Sequence, residues 1–414
     1  GGAMIPTSTK IAIALNGIDY FLFIAYGFLA TKIGENFFGS VTSRGDLLFG
    51  LSIFLVGFIS KPLGSLIFGR VGDLWGRRLS LQLTFITTLF AVAAIATCPS
   101  YESVGAWATI SVILGRFLHG MTHGAHNFGV IVYVTEQQDE GKKNLACGLL
   151  TGSSYAGILC ASIAIAAVIL LDIKEGWRYV FGLGILAGIP LVYCFKFLPE
   201  TVEFVKQREL PASTDSSWYD YVQPFMKSFL LTAASLVPFY VISVYFIGKY
   251  YLEFYHFTPY QSELVNSLFV FTLMIGVPVS GYYADKVDPV KMMIYSLLTL
   301  TAFSGLSYIN TFLGNSAKIL TANIVFLALA YSAFIGSFIK FQAELFPVKH
   351  RFTLLALSGN IGSIIFGGAM PLIVERLVYE TKAPGIPFFV VCLCALSGVF
   401  VLLWKPKEAL RVRA

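Results

Sequence analysis

The chain has 414 residues, of which 56% are hydrophobic and 13% are charged, whereas soluble domains carry about 25% charged residues. This composition excludes an ordinary soluble domain, and apolar windows such as 159–171 and 388–403 lack the alternation of a membrane β-barrel. The formal charge of +6 is spread over many short loops, so it predicts no nucleic-acid partner.

Apolar stretches long enough to cross a bilayer recur along the chain. A hydrocarbon core about 30 Å thick requires about 20 residues per helix. We therefore predict an all-α membrane protein with helices at about 10–34, 46–70, 79–98, 105–134, 144–171, 177–197, 226–252, 260–284, 292–313, 318–342, 351–376 and 384–404. Lys and Arg are enriched on one side, which predicts that both termini are cytoplasmic.

The longest polar break divides six predicted helices from six. We predict an expression scar and N-terminal tail at 1–9, without a cleavable signal peptide, a first bundle at 10–197 and a cytoplasmic linker at 198–225. A second bundle at 226–404 and a cytoplasmic tail at 405–414 follow. Asp73 and Asp285, like Glu136 and Glu344, recur at nearly equal offsets, which indicates two pseudo-symmetric six-helix bundles.

Ionisable residues within the predicted spans are few, and each is costly in hydrocarbon, so each is a functional candidate. They are Asp19 in the first span, Lys61 in the second, Arg116, His119, His123 and His126 in the fourth, and Lys340 in the tenth. Spacings of 3, 4 and 3 place the four residues of the fourth span on one helix face. Histidine suits proton transfer because its ordinary pKa is about 6.5.

The stretch Gly69-Arg-Val-Gly-Asp-Leu-Trp-Gly-Arg-Arg78 resembles the GxxxD(R/K)xGR(R/K) loop of the major facilitator superfamily. The segments 57–69, 343–351 and 360–371 resemble its metabolite:proton symporter branch, which includes proline/betaine, citrate, α-ketoglutarate and shikimate carriers. The resemblance implies the two-bundle fold of that superfamily. It also implies a conformational latch of the outward-open state, formed by Gly69, Asp73, Gly76, Arg77, Arg78 and Asp285. The alternative for this loop is a topology anchor without a gating role.

The same resemblance places the first, fourth, seventh and tenth helices around a central cavity. Asp19, the fourth-helix face and Lys340 are then expected to surround one basic space, in which Arg116 binds a carboxylate with help from Lys340. The predicted substrate-binding residues are Arg116, Lys340, His123, Lys61, Tyr245 and Asn360, and the proton-coupling residues are Asp19, His126 and His119. For Lys61, a structural ion pair with Asp19 is the alternative.

Two departures from the branch remove negative charge. In its first span the branch has N-x-x-E-x-x-D, where this chain has Asn16, Asp19 and Leu22. In its fourth span the branch has G-G-E, where this chain has Gly124-Ala125-His126. We therefore predict a secondary transporter that imports a small di- or tricarboxylate-like anion with protons by alternating access. The alternatives are a zwitterionic amino acid or osmolyte, or a metal complex of a polycarboxylate siderophore.

A different class, an intramembrane metalloenzyme, would use the three histidines of the fourth span as zinc ligands with Asp19. The chain offers no HExxH motif, so we expect no enzyme, no metal and no cofactor besides the proton gradient. The expected partners are the solute, protons and the lipids of a bacterial inner membrane, and the protein is expected to be a monomer.

Overall fold

The structure, a computed structural model, describes residues 5–38, 52–53, 55–211 and 217–404, and this part of the chain contains helices and no β-strand. Residues 1–4 of the predicted scar and N-terminal tail, and the predicted cytoplasmic tail at 405–414, lie outside the described residues.

Twelve long helices, α1 to α12, follow one another within these ranges. They are α1 (Thr7–Phe28), α2 (Lys61–Trp75), α3 (Arg77–Thr97), α4 (Ala106–Gln137), α5 (Lys143–Leu170), α6 (Gly176–Tyr193), α7 (Tyr219–Tyr240), α8 (Pro259–Ala284), α9 (Pro289–Leu313), α10 (Ala317–Glu344), α11 (Arg351–Gly362) and α12 (Ile386–Leu403). Two wider, π-helical segments extend them, Val241–Tyr250 after α7 and Ser363–Gly368 after α11. The helix Met370–Thr381 continues the second of these, and Val202–Glu209 lies in the linker.

Ten of the described helices, counted with their extensions, are long and apolar enough to cross a membrane. The two others fall short for visible reasons. Helix α4 has 32 residues but carries Arg116 and three histidines, which lower its hydropathy. Helix α2 has 15 residues, because a turn at Ser60, close to Pro62, separates it from the helical residues 55–59.

Several helix ends follow from local chemistry. Thr258 and Gln261 form a capping box that starts α8, and the Asp288 carboxylate accepts backbone N–H groups at the start of α9. Helices α2 and α3 are joined by Gly76 alone, whose φ of 120° favours glycine, and a Cβ there would lie 2.0 Å from Glu200 Oε2.

The first six helices and the last six pack against each other most closely at one end, which contains Asp73, Glu136, Asp285 and Glu344. We call it the inner end, because it is the end predicted to face the cytoplasm. There α2 meets α11 and α5 meets α8. A Cβ on Gly69 would lie 2.9 Å from Thr353 Cα, and one on Gly281 would lie 2.4 Å from the Asn144 carbonyl oxygen. Small residues thus allow the two groups of helices to close against each other.

Candidate functional site

A cavity of about 160 Å³ lies between the first six helices and the last six. Its polar lining comes from α1, α2, α4 and α5 on one side and from α7, α10, α11 and the segment after α11 on the other. These residues are Asn16, Tyr20, Lys61, His123, Asn127, Thr151, Ser154, Tyr155, Thr232, Ser235, Tyr240, Tyr331, Gln342, Asn360 and Ser363. Among the described residues, Lys61 supplies the one ammonium group of this lining, and the lining contains no guanidinium group and no carboxylate.

Asp19 and His123 form a buried pair between α1 and α4. The His123 Nδ1 atom lies 2.5 Å from Asp19 Oδ2, and the His123 ring stacks on Phe23 with centroids 3.8 Å apart and planes 10° apart. Tyr20 contacts the same ring edge-on. Asp19 is fully buried and does not line the cavity, whereas His123 does. The cavity therefore meets the histidine and not the carboxylate behind it.

Lys61 lies on the α2 side of the cavity, above two aromatic rings. Its Nζ atom is 4.1 Å from the Phe58 ring centroid and 4.8 Å from that of Phe23, and it donates a long 3.5 Å hydrogen bond to Ser363 Oγ. The alternative of a direct ion pair with Asp19 is not met, because the Asp19 salt bridge is made by His123. Lys61 is thus a buried cation held mainly by ring faces.

Arg116 is placed differently from the prediction. Its guanidinium packs 4.3 Å from the Phe23 ring centroid and 4.2 Å from that of Tyr26, and its Nη1 atom lies 3.2 Å from His119 Nδ1. Arg116 is fully buried and does not line the described cavity. Arg116 therefore does not face the cavity in which it was expected to bind a carboxylate.

The three histidines of α4 face three different partners. His119 lies beside Arg116, His123 beside Asp19, and His126 Nδ1 lies 3.0 Å from Thr84 Oγ1 of α3. The described residues contain no cluster of three or more His, Cys, Asp or Glu side chains suited to a metal ion. The helical spacing placed the histidines on one face, but it did not make them converge.

Two further predicted site residues lie away from the cavity. Lys340 Nζ donates to Glu140 Oε1 at 3.0 Å and lies 3.7 Å from Glu344 Oε2, so it belongs to the inner end and not to the basic space expected around Asp19. Tyr245 lies in the π-helical segment after α7, packed against Phe246. The prediction that Lys340 faces the central cavity is wrong for this conformation: Gln342, nearer the end of α10, does line the cavity, so Lys340 is excluded by its helix face and not by its depth. Tyr245 is not among the lining residues either.

Asn360 does line the cavity, as predicted, and it joins the two groups of helices. Its Nδ2 atom donates to Ser65 Oγ of α2 at 2.7 Å and to the Gly124 carbonyl of α4 at 3.1 Å. Sequence reasoning missed Asn127 as a lining residue. Its position four residues after His123 on the same helix face was a usable signal.

The predicted latch residues lie at the inner end. The Asp73 carboxylate accepts hydrogen bonds from Phe352 N at 3.1 Å, from Thr353 N at 3.0 Å and from Thr353 Oγ1 at 2.6 Å. Arg77 donates to Asp73 Oδ1 at 3.0 Å. Asp73 thus caps the N-terminus of α11, where the helix dipole favours a negative charge.

Asp285 makes the equivalent contact in the other direction. Its two carboxylate oxygens accept hydrogen bonds from Asn144 N and Leu145 N at the start of α5, both at 2.9 Å. Each group of six helices therefore supplies one aspartate that caps a helix of the other. Gly69 provides close packing beside this contact and Gly76 provides the turn, while Arg78 is exposed.

Ion pairs surround these caps. Glu136 of α4 accepts two hydrogen bonds from Arg77 and one from Arg351 of α11. Glu203 of the linker helix binds Arg351 at 2.8 Å and Lys143 of α5 at 2.7 Å. Burial raises the pKa of Glu203, but these two cations outweigh it and hold the pKa below its usual value. Glu344 completes the network by binding Lys143.

A family model described as "Sugar (and other) transporter" matches residues 14–217, and one described as "Major Facilitator Superfamily" matches residues 228–413. The chain belongs to the major facilitator superfamily. The break between the matches, residues 218–227, overlaps the end of the predicted linker at 198–225. Among the relatives of this superfamily member, the citrate-proton symporter of Klebsiella pneumoniae is 28% identical over 96% of the chain and 91% of the relative. A glycine betaine/proline/ectoine/pipecolic acid transporter of Dickeya dadantii is 27% identical over 95% of the chain and 82% of the relative.

Solved structures agree on the superfamily fold. The proton:xylose symporter XylE superposes with a TM-score of 0.79 over 96% of this chain and 95% of that chain, at 11% identity. A bacterial homologue of the iron transporter ferroportin in an outward-facing state superposes with a TM-score of 0.73 over 95% of this chain and 98% of that chain, at 14% identity. The predicted all-α, twelve-helix superfamily fold is confirmed, and the protein is a multi-pass membrane transporter whose relatives are transporters and not enzymes.

Proposed function

We propose that this transporter carries a small organic anion together with protons by alternating access, and that Lys61 binds the anionic group. The observation that supports this is the lining of the central cavity, in which the described residues supply the Lys61 ammonium and no carboxylate. Asp19, the acid near this space, is already bound to His123. An anion entering the cavity would meet an attractive charge without a repelling one.

The size and polarity of the cavity support a small solute. Its volume of about 160 Å³ is below the range of roughly 300–1,000 Å³ typical of drug-sized ligands. Amides and hydroxyls, including Asn127, Gln342 and Ser363, supply the remaining polar contacts. With Arg116 and Lys340 held elsewhere, one lining cation favours a small carboxylate over a large polycarboxylate chelate.

A zwitterionic betaine is the second candidate, and a separate observation favours it. Phe23, Tyr155, Phe239, Tyr240 and Tyr331 all line the cavity. Aromatic faces bind quaternary ammonium groups by cation–π attraction. A betaine would place its carboxylate at Lys61 and its ammonium group among these rings, and one of the relatives is named for glycine betaine.

The test is uptake into proteoliposomes under an inward-directed proton gradient, with citrate, succinate, lactate, glycine betaine and proline as solutes. We expect Lys61→Gln to weaken the affinity for the carried solute about 10- to 150-fold, which corresponds to the loss of a charge-assisted hydrogen bond worth about 1.5–3 kcal/mol. Lys318→Gln, at an exposed lysine near the start of α10, is the matched control. Uptake of anions that is unaffected by Lys61→Gln would contradict the anion proposal.

Two results separate the two candidates. Accumulation of a carboxylate that glycine betaine does not inhibit would support the anion. Accumulation of glycine betaine that Tyr240→Leu abolishes would support the betaine. Uptake that a protonophore does not reduce would contradict the proton coupling proposed for either solute.

A further inference from the structure

We propose that His123 is a proton relay that connects the central cavity to the buried carboxylate of Asp19. This inference rests on the proton coupling proposed above and assigns its path. The starting point is that Asp19 is fully buried and absent from the cavity lining, so a proton from the cavity needs an intermediate group to reach it.

The hydrogen bonds of the pair define where the protons lie. While Asp19 is ionised, its carboxylate only accepts hydrogen bonds, so for the contact of 2.5 Å between His123 Nδ1 and Asp19 Oδ2 we assign the ring proton to Nδ1. The other nitrogen of the neutral ring, Nε2, is then a proton acceptor. His123 lines the cavity, so its Nε2 atom is the acceptor that we expect a proton from the cavity to reach.

The carboxylate is also prepared to receive a proton. Its second oxygen, Asp19 Oδ1, is buried and has no hydrogen-bond partner among the described residues. A buried charge with few hydrogen bonds is costly, and protonation removes that charge. Phe23 holds the His123 ring by stacking at 3.8 Å, so the ring stays aligned with Asp19.

The transfer balances in protons. A proton from the cavity binds Nε2 and forms the imidazolium, which then passes its Nδ1 proton to Asp19 Oδ2. The products are a neutral carboxylic acid and a neutral His123 with its proton on Nε2. Release runs the same steps in reverse: Asp19 returns a proton to Nδ1, and the Nε2 proton leaves to the cavity once it opens to the other side.

The surroundings distinguish His123 from its neighbours on α4. His119 and His126 have their Nε2 atoms buried without a partner in the described part of the chain, and neither residue lines the cavity. The charged and titratable groups facing His123 are Asp19 and Tyr20 from α1, Lys61 from α2, and Arg116, His119 and His126 within α4. Among the three histidines of α4, His123 is the one that both lines the cavity and contacts Asp19 in the described part of the chain.

The test follows the proton itself and needs no solute. The full chain in liposomes is given a rapid acid jump, and the protonated carboxyl band of Asp19, assigned with Asp19→Asn, is followed by time-resolved infrared spectroscopy. His123→Asn keeps a donor near Oδ2 but has no second nitrogen. We expect it to slow Asp19 protonation by about 100-fold or more, the usual effect of losing a positioned acid–base group, and to leave its final extent similar.

His256→Asn is the matched control, because it makes the same substitution in a loop where φ is 54°, a conformation that Asn tolerates. It is expected to protonate Asp19 at the wild-type rate. Protonation in His123→Asn that is as fast as in the wild type overturns the relay. If His123→Asn does not fold, His123→Gln, which also lacks a two-nitrogen ring, is measured in the same way.

A second measurement uses the wild-type protein. With ¹⁵N-labelled histidine, the His123 proton is expected on Nδ1 while Asp19 is ionised and on Nε2 once Asp19 is protonated, and a proton that stays on Nδ1 throughout overturns the relay. Failure of the proposed function has a different signature, since a carrier that accumulates no solute under a proton gradient refutes the coupling without affecting either of these readings.

Discussion

Replacing Asp73 by Asn is expected to open the inner end of the protein. The carboxylate accepts three hydrogen bonds from the start of α11 and one from Arg77, whereas an asparagine retains one neutral acceptor oxygen. Hydrogen bonds to a charged group are worth about 1.5–3 kcal/mol each, and the asparagine replaces part of them. The closed state should therefore be destabilised by about 2–4 kcal/mol, which shifts the opening equilibrium about 30- to 700-fold.

Asp285→Asn provides the quantitative comparison. Asp285 accepts two backbone hydrogen bonds and no arginine contact is described for it. The expected loss is therefore about 1–2 kcal/mol, or about 5- to 30-fold in the same equilibrium. The order of the two effects, Asp73 above Asp285, is the specific prediction.

Cys147 is a native reporter for this measurement. It is buried in α5, three residues after Asn144, with its thiol 3.3 Å from Thr135 Oγ1. In a variant that keeps only this cysteine, the rate of maleimide alkylation should rise by the factors given above. The exposed Asp220→Asn is the control and should leave the rate unchanged. Equal rates for the Asp73 and Asp285 variants, or no increase with Asp73→Asn, would refute the reasoning.

Three other predictions follow from the same contacts. Gly281→Ala should also speed Cys147 alkylation, because its Cβ would lie 2.4 Å from the Asn144 carbonyl oxygen, whereas Gly305→Ala, with no atom within 4 Å, should not. At a pH above 4.5, the ordinary glutamate pKa, the purified wild-type protein should have a higher melting temperature than Glu203→Gln. This gap should close as the pH falls through the lowered Glu203 pKa, because protonation removes the same ion pairs; a constant gap would contradict it. Asn360→Ala should cost about 1–3 kcal/mol in unfolding free energy by removing two hydrogen bonds, one to α2 and one to α4, each worth about 0.5–1.5 kcal/mol, and an unchanged denaturation midpoint would count against this.

Most of the fold was predictable because a bilayer demands long apolar helices. The predicted span 144–171 corresponds to Lys143–Leu170, and 260–284 to Pro259–Ala284. The seventh helix begins at Tyr219 and not at 226, since its first turns are polar and leave no hydropathy signal.

The site was predictable only in part. The resemblance placed Asp19 close to the fourth helix, where it contacts His123, and helical spacing put Arg116 and the histidines on one face. It did not reveal which residues reach the cavity, because Arg116 is covered by the rings of Phe23 and Tyr26, residues distant in sequence. For Lys340 the resemblance supplied the correct helix but not the helix face, and that face turns Lys340 toward the ion pairs of the inner end and not into the cavity.

The charges around the cavity are divided unevenly. Lys61, His123 and the Asp19 carboxylate behind it all come from the first six helices, while the described lining from the last six is uncharged, with residues such as Tyr240, Gln342 and Asn360. Under the alternating access proposed above, the Asp19–His123 pair would move as a unit with the first six helices, whereas the hydrogen bond from Lys61 to Ser363 would have to break. Selectivity for the shape of the solute is free to diverge in the last six helices without retuning the coupling.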